Sequence, residues 1–163
     1  MDLSAAICEP GSDPRGDHAM SLLCRAGSSL CALPLGLVVE IMRKLPIELV
    51  ANTPPYVHGL SIIRGTPTPI VDTALLCSAR TAPFHRLVTV SADTRIIALA
   101  VDSVLGVRSI KTDETLPPLL QEAAGDMVSA IGRLDAELLL FLSTARIVPE
   151  ELFERLDGHG AVA

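Results

Sequence analysis

The sequence predicts an all-β protein, a barrel or a sandwich, and three observations carry that reading. Short apolar runs built from Leu, Ile and Val recur along the chain. Gly, Pro and Asp turn signals break them at regular spacing. Helical patterns are confined to three brief stretches, Asp72 to Leu76, Ser143 to Ile147 and Pro149 to Phe153.

The strands follow in order. Leu22 to Ala26 and Leu30 to Leu33 flank Gly27-Ser28-Ser29, a hairpin pattern. Leu37 to Ile41 is a further β-branched run. Leu60 to Arg64 and Pro69 to Val71 flank Gly65-Thr66-Pro67 as a second hairpin. Pro67 and Pro69 lack N–H donors, so that return strand belongs at an edge or pairs on one side only. Leu87 to Val90 and Ile96 to Val101 flank Ala92-Asp93-Thr94. Val104 to Ile110 is a strand around Gly106, and Val128 to Leu134 pairs with Leu138 to Leu142 about Asp135-Ala136. Asp72 is placed to cap a single turn over Thr73-Ala74-Leu75. Pro149-Glu150-Glu151 opens a C-terminal helix with acids at its positive end, and Gly158 and Gly160 close it.

This order repeats. Hairpin, apolar strand, hairpin and capped turn run from Leu22 to Leu76 and again from Leu87 to Ile147, with Val38 and Val104 at equivalent places. Two similar barrels sharing strands are the expected outcome. Residues 1–19, with Pro10, Gly11, Pro14 and Gly16 among charges, read as a mobile leader. Order is expected from near Ser21; residues 20–156 form the folded unit of two barrel subdomains, and 157–163 a tail.

Composition narrows the function. Apolar residues make up 49% of the 163, enough for a sizeable core, while aromatics at 2% leave no stacking surface for bases or sugars. A net charge of -6 without a Lys/Arg run argues against nucleic-acid binding, which phosphate neutralisation drives. The longest apolar runs fall far short of the ~20 residues of a membrane helix, and the start carries no secretory pattern, so a cytoplasmic protein is expected. Cys8, Cys24, Cys31 and Cys77 form no C-x-x-C, and His18, His58, His85 and His159 are dispersed, so no metal site or cofactor is expected. Cys24 and Cys31 can face each other across the first turn; small buried thiols are favoured there over a disulfide.

No catalytic constellation is legible. There is no G-x-S-x-G elbow, Walker loop or G-x-G-x-x-G. Asp72 and Asp102 follow apolar strands, where active-site acids can stand, but capping and strand termination account for them. His58 has no neighbour in sequence that makes it a base. A binding module is favoured over an enzyme.

The stretch from Asn52-Thr53-Pro54-Pro55 through Gly59-Leu60-Ser61-Ile62-Ile63-Arg64-Gly65 to Pro69-Ile70-Val71-Asp72 resembles the CheW-like family, with its Pro-led short helix, Gly, apolar strand, Arg-Gly turn and closing Pro-Ile-Val-Asp. Val38-Val39-Glu40-Ile41 and Val101-Asp102-Ser103-Val104 are similar to two further family segments. The resemblance covers about residues 20–156. It implies two intertwined five-stranded SH3-like barrels with a groove between them. It also implies a non-catalytic adaptor in chemotaxis signal transduction, binding the cytoplasmic tip of a chemoreceptor and the regulatory domain of a CheA-type histidine kinase, recruited to membrane-bound receptor arrays without inserting in the membrane. On that reading Val38 and Val104 line the groove, Gly59 permits close backbone approach, Arg64 offers a planar fork, Glu40 meets a basic or amide group, and Ala98, where Gly is common, narrows the groove. The alternatives are an adaptor of a kinase pathway controlling pili, biofilm or a second messenger, and a small β-barrel ligand-binding domain or enzyme.

Overall fold

The computed structural model describes residues 18–113, 128–134, 137–144 and 147–155. The leader lies outside these save for its last two residues, as do the tail, Gly158 and Gly160, the Asp135-Ala136 turn and Ala145-Arg146 of the second capped turn. Among the described residues are ten strands: β1 His18–Ala26, β2 Ser29–Pro34, β3 Val38–Arg43, β4 Val57–Ile63, β5 Thr66–Asp72, β6 Arg86–Ala92, β7 Arg95–Val101, β8 Ser103–Asp113, β9 Val128–Leu134 and β10 Glu137–Leu142. Helix α1 spans Thr73–Ser78 and a second helix, α2, covers 150–155.

The strands form a closed barrel ordered β1-β2-β10-β9-β8 and a second five-stranded sheet ordered β3-β6-β7-β5-β4. The repeat explains this order. Each sheet takes one hairpin from one repeat and a strand plus hairpin from the other: β1-β2 joins β8, β9 and β10, and β6-β7 joins β3, β4 and β5. Equivalent joints carry equivalent pairings. Val38 opposes Val90 where Val104 opposes Cys24, and each pairing is followed by a bulge. Parallel pairing links the repeats twice, through Leu30, Cys31 and Ala32 against Leu139, Leu140 and Phe141, and through Ile70, Val71 and Asp72 against Ala98, Leu99 and Ala100.

Three cores result. Leu23, Leu30, Ala32, Ile110, Leu139 and Phe141 fill the first barrel. Ile63, Ile70, Leu87, Ala98 and Ala100 fill the second. The largest cluster lies at the seam, where Leu22, Cys24, Cys31, Leu33, Val88, Val90, Ile97 and Leu99 meet Val71, Leu142, Ile147 and Phe153. Successive residues of β1, β2, β6 and β7 thus alternate between a barrel interior and the seam. Both faces are buried, which is why these strands read as unbroken apolar runs. Burying each large aliphatic side chain stabilises the fold by about 1.5–3 kcal/mol, so the seam binds the barrels into one unit.

Local chemistry agrees with the sequence in several places. The one-sided pairing expected of β5 holds only for its proline half: Pro67 and Pro69 pair with β4 alone, whereas Ile70 to Asp72 also pair with β7, so the strand lies inside the sheet and not at an edge. Asp72 caps α1, its Oδ1 accepting from Leu75 N at 3.1 Å. Two further expectations change. The first strand begins at His18, ahead of Ser21. No helix forms over 51–56; turns at 51–52 and 55–56 lead into β4, with Val57 N donating to Pro54 O at 2.9 Å. Thr53 and Pro54 each precede a proline, which excludes them from helical backbone.

Candidate functional site

The residues singled out in the sequence divide between surface and interior. Glu40 on β3 and Arg64 in the β4–β5 turn face each other across the second barrel. Arg64 Nε and Nη2 donate to Glu40 Oε1 and Oε2, both at 2.8 Å, a bidentate fork. The Arg64 side chain is 80% exposed. The guanidinium holds the Glu40 carboxyl below the usual carboxylate range. The turn that presents Arg64 has positive φ at both central residues, 51° at Arg64 and 79° at Gly65, as a tight hairpin requires. A non-glycine residue in left-handed backbone is strained, and Arg64 carries that strain at the tip of the turn.

The bulge beside Glu40 is fixed from within. Thr89, buried, accepts from Glu40 N at 3.0 Å and donates its hydroxyl proton to Glu40 O at 3.2 Å. The extra residue at this bulge, Val39, is pushed to the surface. Val39, Ile41 and Ile62 are exposed apolar residues, the first two flanking Glu40 in sequence and the third two residues before Arg64. On the first barrel, Leu105 and Val107 hold the places equivalent to Val39 and Ile41 and are exposed as well.

Val38 and Val104 are half-buried, and both pack against the seam core from the same structural position in their respective barrels. Both serve the core from the edge of the seam. Two residues are corrected. Ala98 is 0% exposed inside the second barrel and has no surface to offer a partner; its small side chain serves packing against Ile70 and Leu87. Gly59 does permit a close approach, but of the chain's own backbone. At φ 148°, a Cβ there would lie 2.1 Å from Glu48 O. That contact is where Glu48 and Leu60 exchange two backbone hydrogen bonds of 2.8 Å.

Sequence reasoning missed Val39, Ile41, Ile62, Leu105 and Val107. A signal existed for the two bulges: Val38-Val39 and Val104-Leu105 break the alternation of a half-buried strand, as an inserted residue does.

The remaining acids and bases have structural duties. Asp72 is buried, and its Oδ2 accepts from Thr81 Oγ1 at 2.7 Å. His58 Nε2 lies 3.4 Å from that oxygen without hydrogen-bond geometry. The His58 ring stacks on Phe84 at 5.1 Å, and Lys44 Nζ lies 4.3 Å from the Phe84 centroid. Asp102 and His85 pair at 2.7 Å on the exposed surface. Among the described residues no His, Cys, Asp and Glu cluster has the arrangement of a metal site, and no helix is long and apolar enough to cross a membrane.

Comparison with known proteins fits this architecture. The model of the CheW-like domain matches residues 21–152. Protein FrzA of Myxococcus xanthus is 31% identical over 134 residues, spanning 75% of this chain and 84% of that protein. Chemotaxis protein CheW of Klebsiella aerogenes is 21% identical over 126 residues, spanning 74% and 76%. The crystal structure of scaffolding protein TtCheW from Thermoanaerobacter tengcongensis shares the fold, with a TM-score of 0.67 at 17% identity over 81% of this chain and 99% of that one. With most of its length matched by the domain and a relative above 30% identity, the chain belongs to the CheW-like family.

Proposed function

We propose that this chain is a non-catalytic cytoplasmic adaptor that couples a chemoreceptor tip to the regulatory domain of a CheA-type histidine kinase, recruited to membrane-bound receptor arrays. The observation that carries the reading is the Glu40–Arg64 fork on the surface, with Val39, Ile41 and Ile62 exposed on the same strands, β3 and β4. Exposed apolar residues around an oriented charge pair suit protein docking, where the apolar part supplies affinity and the charges fix register. A helical receptor tip lays an apolar face into a hydrophobic groove, and Val38 and Val104 border the seam where such a groove would run. Val38, Glu40, Arg64 and Val104 are the proposed contacts. Gly59 and Ala98 act from beneath, by shaping the second barrel.

Calorimetric titration of the chain with the kinase regulatory domain and the receptor tip from the same genome tests the proposal. Micromolar binding to both is expected. No binding to either at tens of micromolar would overturn it. A second reading is an adaptor serving a kinase of another output, such as pili, biofilm or a second messenger. It predicts binding to a different kinase regulatory domain through the same surface.

A further inference from the structure

The seam between the barrels holds a feature that docking does not use. Cys31 on β2 and Cys77 in the last turn of α1 place their sulfurs 3.2 Å apart. Both are free thiols. Their exposures differ: Cys31 is 1% exposed within the seam core, whereas Cys77 is only partly buried. The third thiol, Cys24, stands directly across the β1–β2 ladder from Cys31. It is 0% exposed, and burial pushes its pKa up to about 12, so it stays a protonated core thiol. The Cys77 contact and burial push the Cys31 thiol up as well, so it is the 3.2 Å sulfur contact, joining β2 to α1, that singles out Cys31 and Cys77.

We propose that Cys31 and Cys77 are a modification site, oxidised by peroxide to a reversible disulfide across the barrel seam. Cys77, the thiol that solvent reaches, attacks hydrogen peroxide; its sulfur takes one oxygen, the O–O bond breaks, and water leaves, giving a sulfenic acid. The Cys31 sulfur then attacks the Cys77 sulfur, the S–O bond breaks, and the hydroxyl departs as a second water with the Cys31 proton. Two thiols and one peroxide thus become one disulfide and two waters. The sulfurs must close by about 1 Å to reach bonding distance. The place allows it. Helix α1 has only six residues, and its cap, Ala79, is a non-glycine residue at φ 58° leading into exposed 79–81. The bond would tie β2 of the first barrel to the helix that follows β5 of the second. It would close a long loop, which raises the thermal midpoint of the oxidised chain.

Thiol counting and peptide mapping on the intact chain decide the matter. In the Cys8→Ser chain, thiols titrated in denaturant after hydrogen peroxide treatment of the native protein should fall from three to one. Mass spectrometry should link the Cys31 and Cys77 peptides, and dithiothreitol should restore all three thiols. On the same background Cys77→Ser should keep its two thiols, while Cys24→Ala should fall from two to none. A Cys24–Cys31 linkage would overturn the proposal. So would loss of two thiols in Cys77→Ser, sulfinic acid at Cys77 beside a free Cys31, or a disulfide that forms only after unfolding.

Discussion

In the first barrel β8 runs on past Ile110 and pairs with β9 through Thr112–Gly132 and Asp113–Ile131, so the sheet closes by a ladder. In the second, β3 ends at Arg43, and the chain returns to β4 only at the Glu48–Leu60 bridge. The later closure needs an intimate backbone contact, and Gly59 provides it. The position equivalent to Gly59 in the first barrel is Ala130. Where one bridge must make the closure, a side chain is excluded. The charge pairs differ in place as well. Glu40–Arg64 joins β3 to the β4–β5 turn of the second barrel, whereas Arg25–Glu137 joins β1 to β10 of the first. One plan, used twice, is closed and pinned differently in its two copies.

That contrast can be broken at several points. The largest effect is expected at the bridge. Gly59→Ala should cost about 3 kcal/mol or more, because its Cβ meets a backbone carbonyl that cannot withdraw. The thermal midpoint should then drop by roughly 6–12 °C. Gly106→Ala, at φ 132° with open space around it, should cost only about 1–2 kcal/mol. Equal losses in urea denaturation would show that the close approach of Glu48 O adds nothing beyond the positive φ that both glycines share.

Next is the bulge. Thr89→Val keeps the volume and removes the hydroxyl that serves both polar groups of Glu40, and should cost about 1–2 kcal/mol in the same assay. The equivalent residue in the first barrel is already apolar, Leu23, so that bulge has no such dependence to lose.

Arg64→Glu should leave the folded state essentially unaltered, since the side chain is solvent-exposed, while weakening partner binding by about tenfold or more. A collapse of the thermal midpoint would make the fork structural instead. The smallest effect is in titration. Because the fork lowers the folded pKa of Glu40, its contribution is complete above the unfolded carboxylate value and is lost as pH falls through the lower folded one. Carbon-detected NMR should show Glu40 titrating low in the native chain and moving up in Arg64→Ala. Glu137, held low by Arg25 on the other barrel, should not move.

Much of the fold was legible because β-sheet chemistry is local. Turn residues marked the hairpins, prolines marked where β5 pairs on one side, and Asp72 announced its cap. The repeat was legible as well, since equivalent strands kept their apolar runs. The exchange of hairpins between repeats was not readable from residues alone; pairing partners across the seam leave no mark in one strand's composition. The candidate surface was readable by half. Glu40 and Arg64 stood out individually, but their mutual pairing depends on how β3 and the β4–β5 turn meet in space. Ala98 and Gly59 were read as groove residues because sequence gives no depth, and depth decides whether a small residue faces a partner or its own chain.

The exchanged hairpins carry a consequence for how such a molecule could have arisen. Either repeat by itself is an unfinished sheet with apolar residues bare on both sides of its leading hairpin. Two copies of an ancestral half-length chain would have completed each other by trading that hairpin. In the present chain the connection between Ser78 and Arg86 joins the two repeats covalently, so the exchange needs no second molecule.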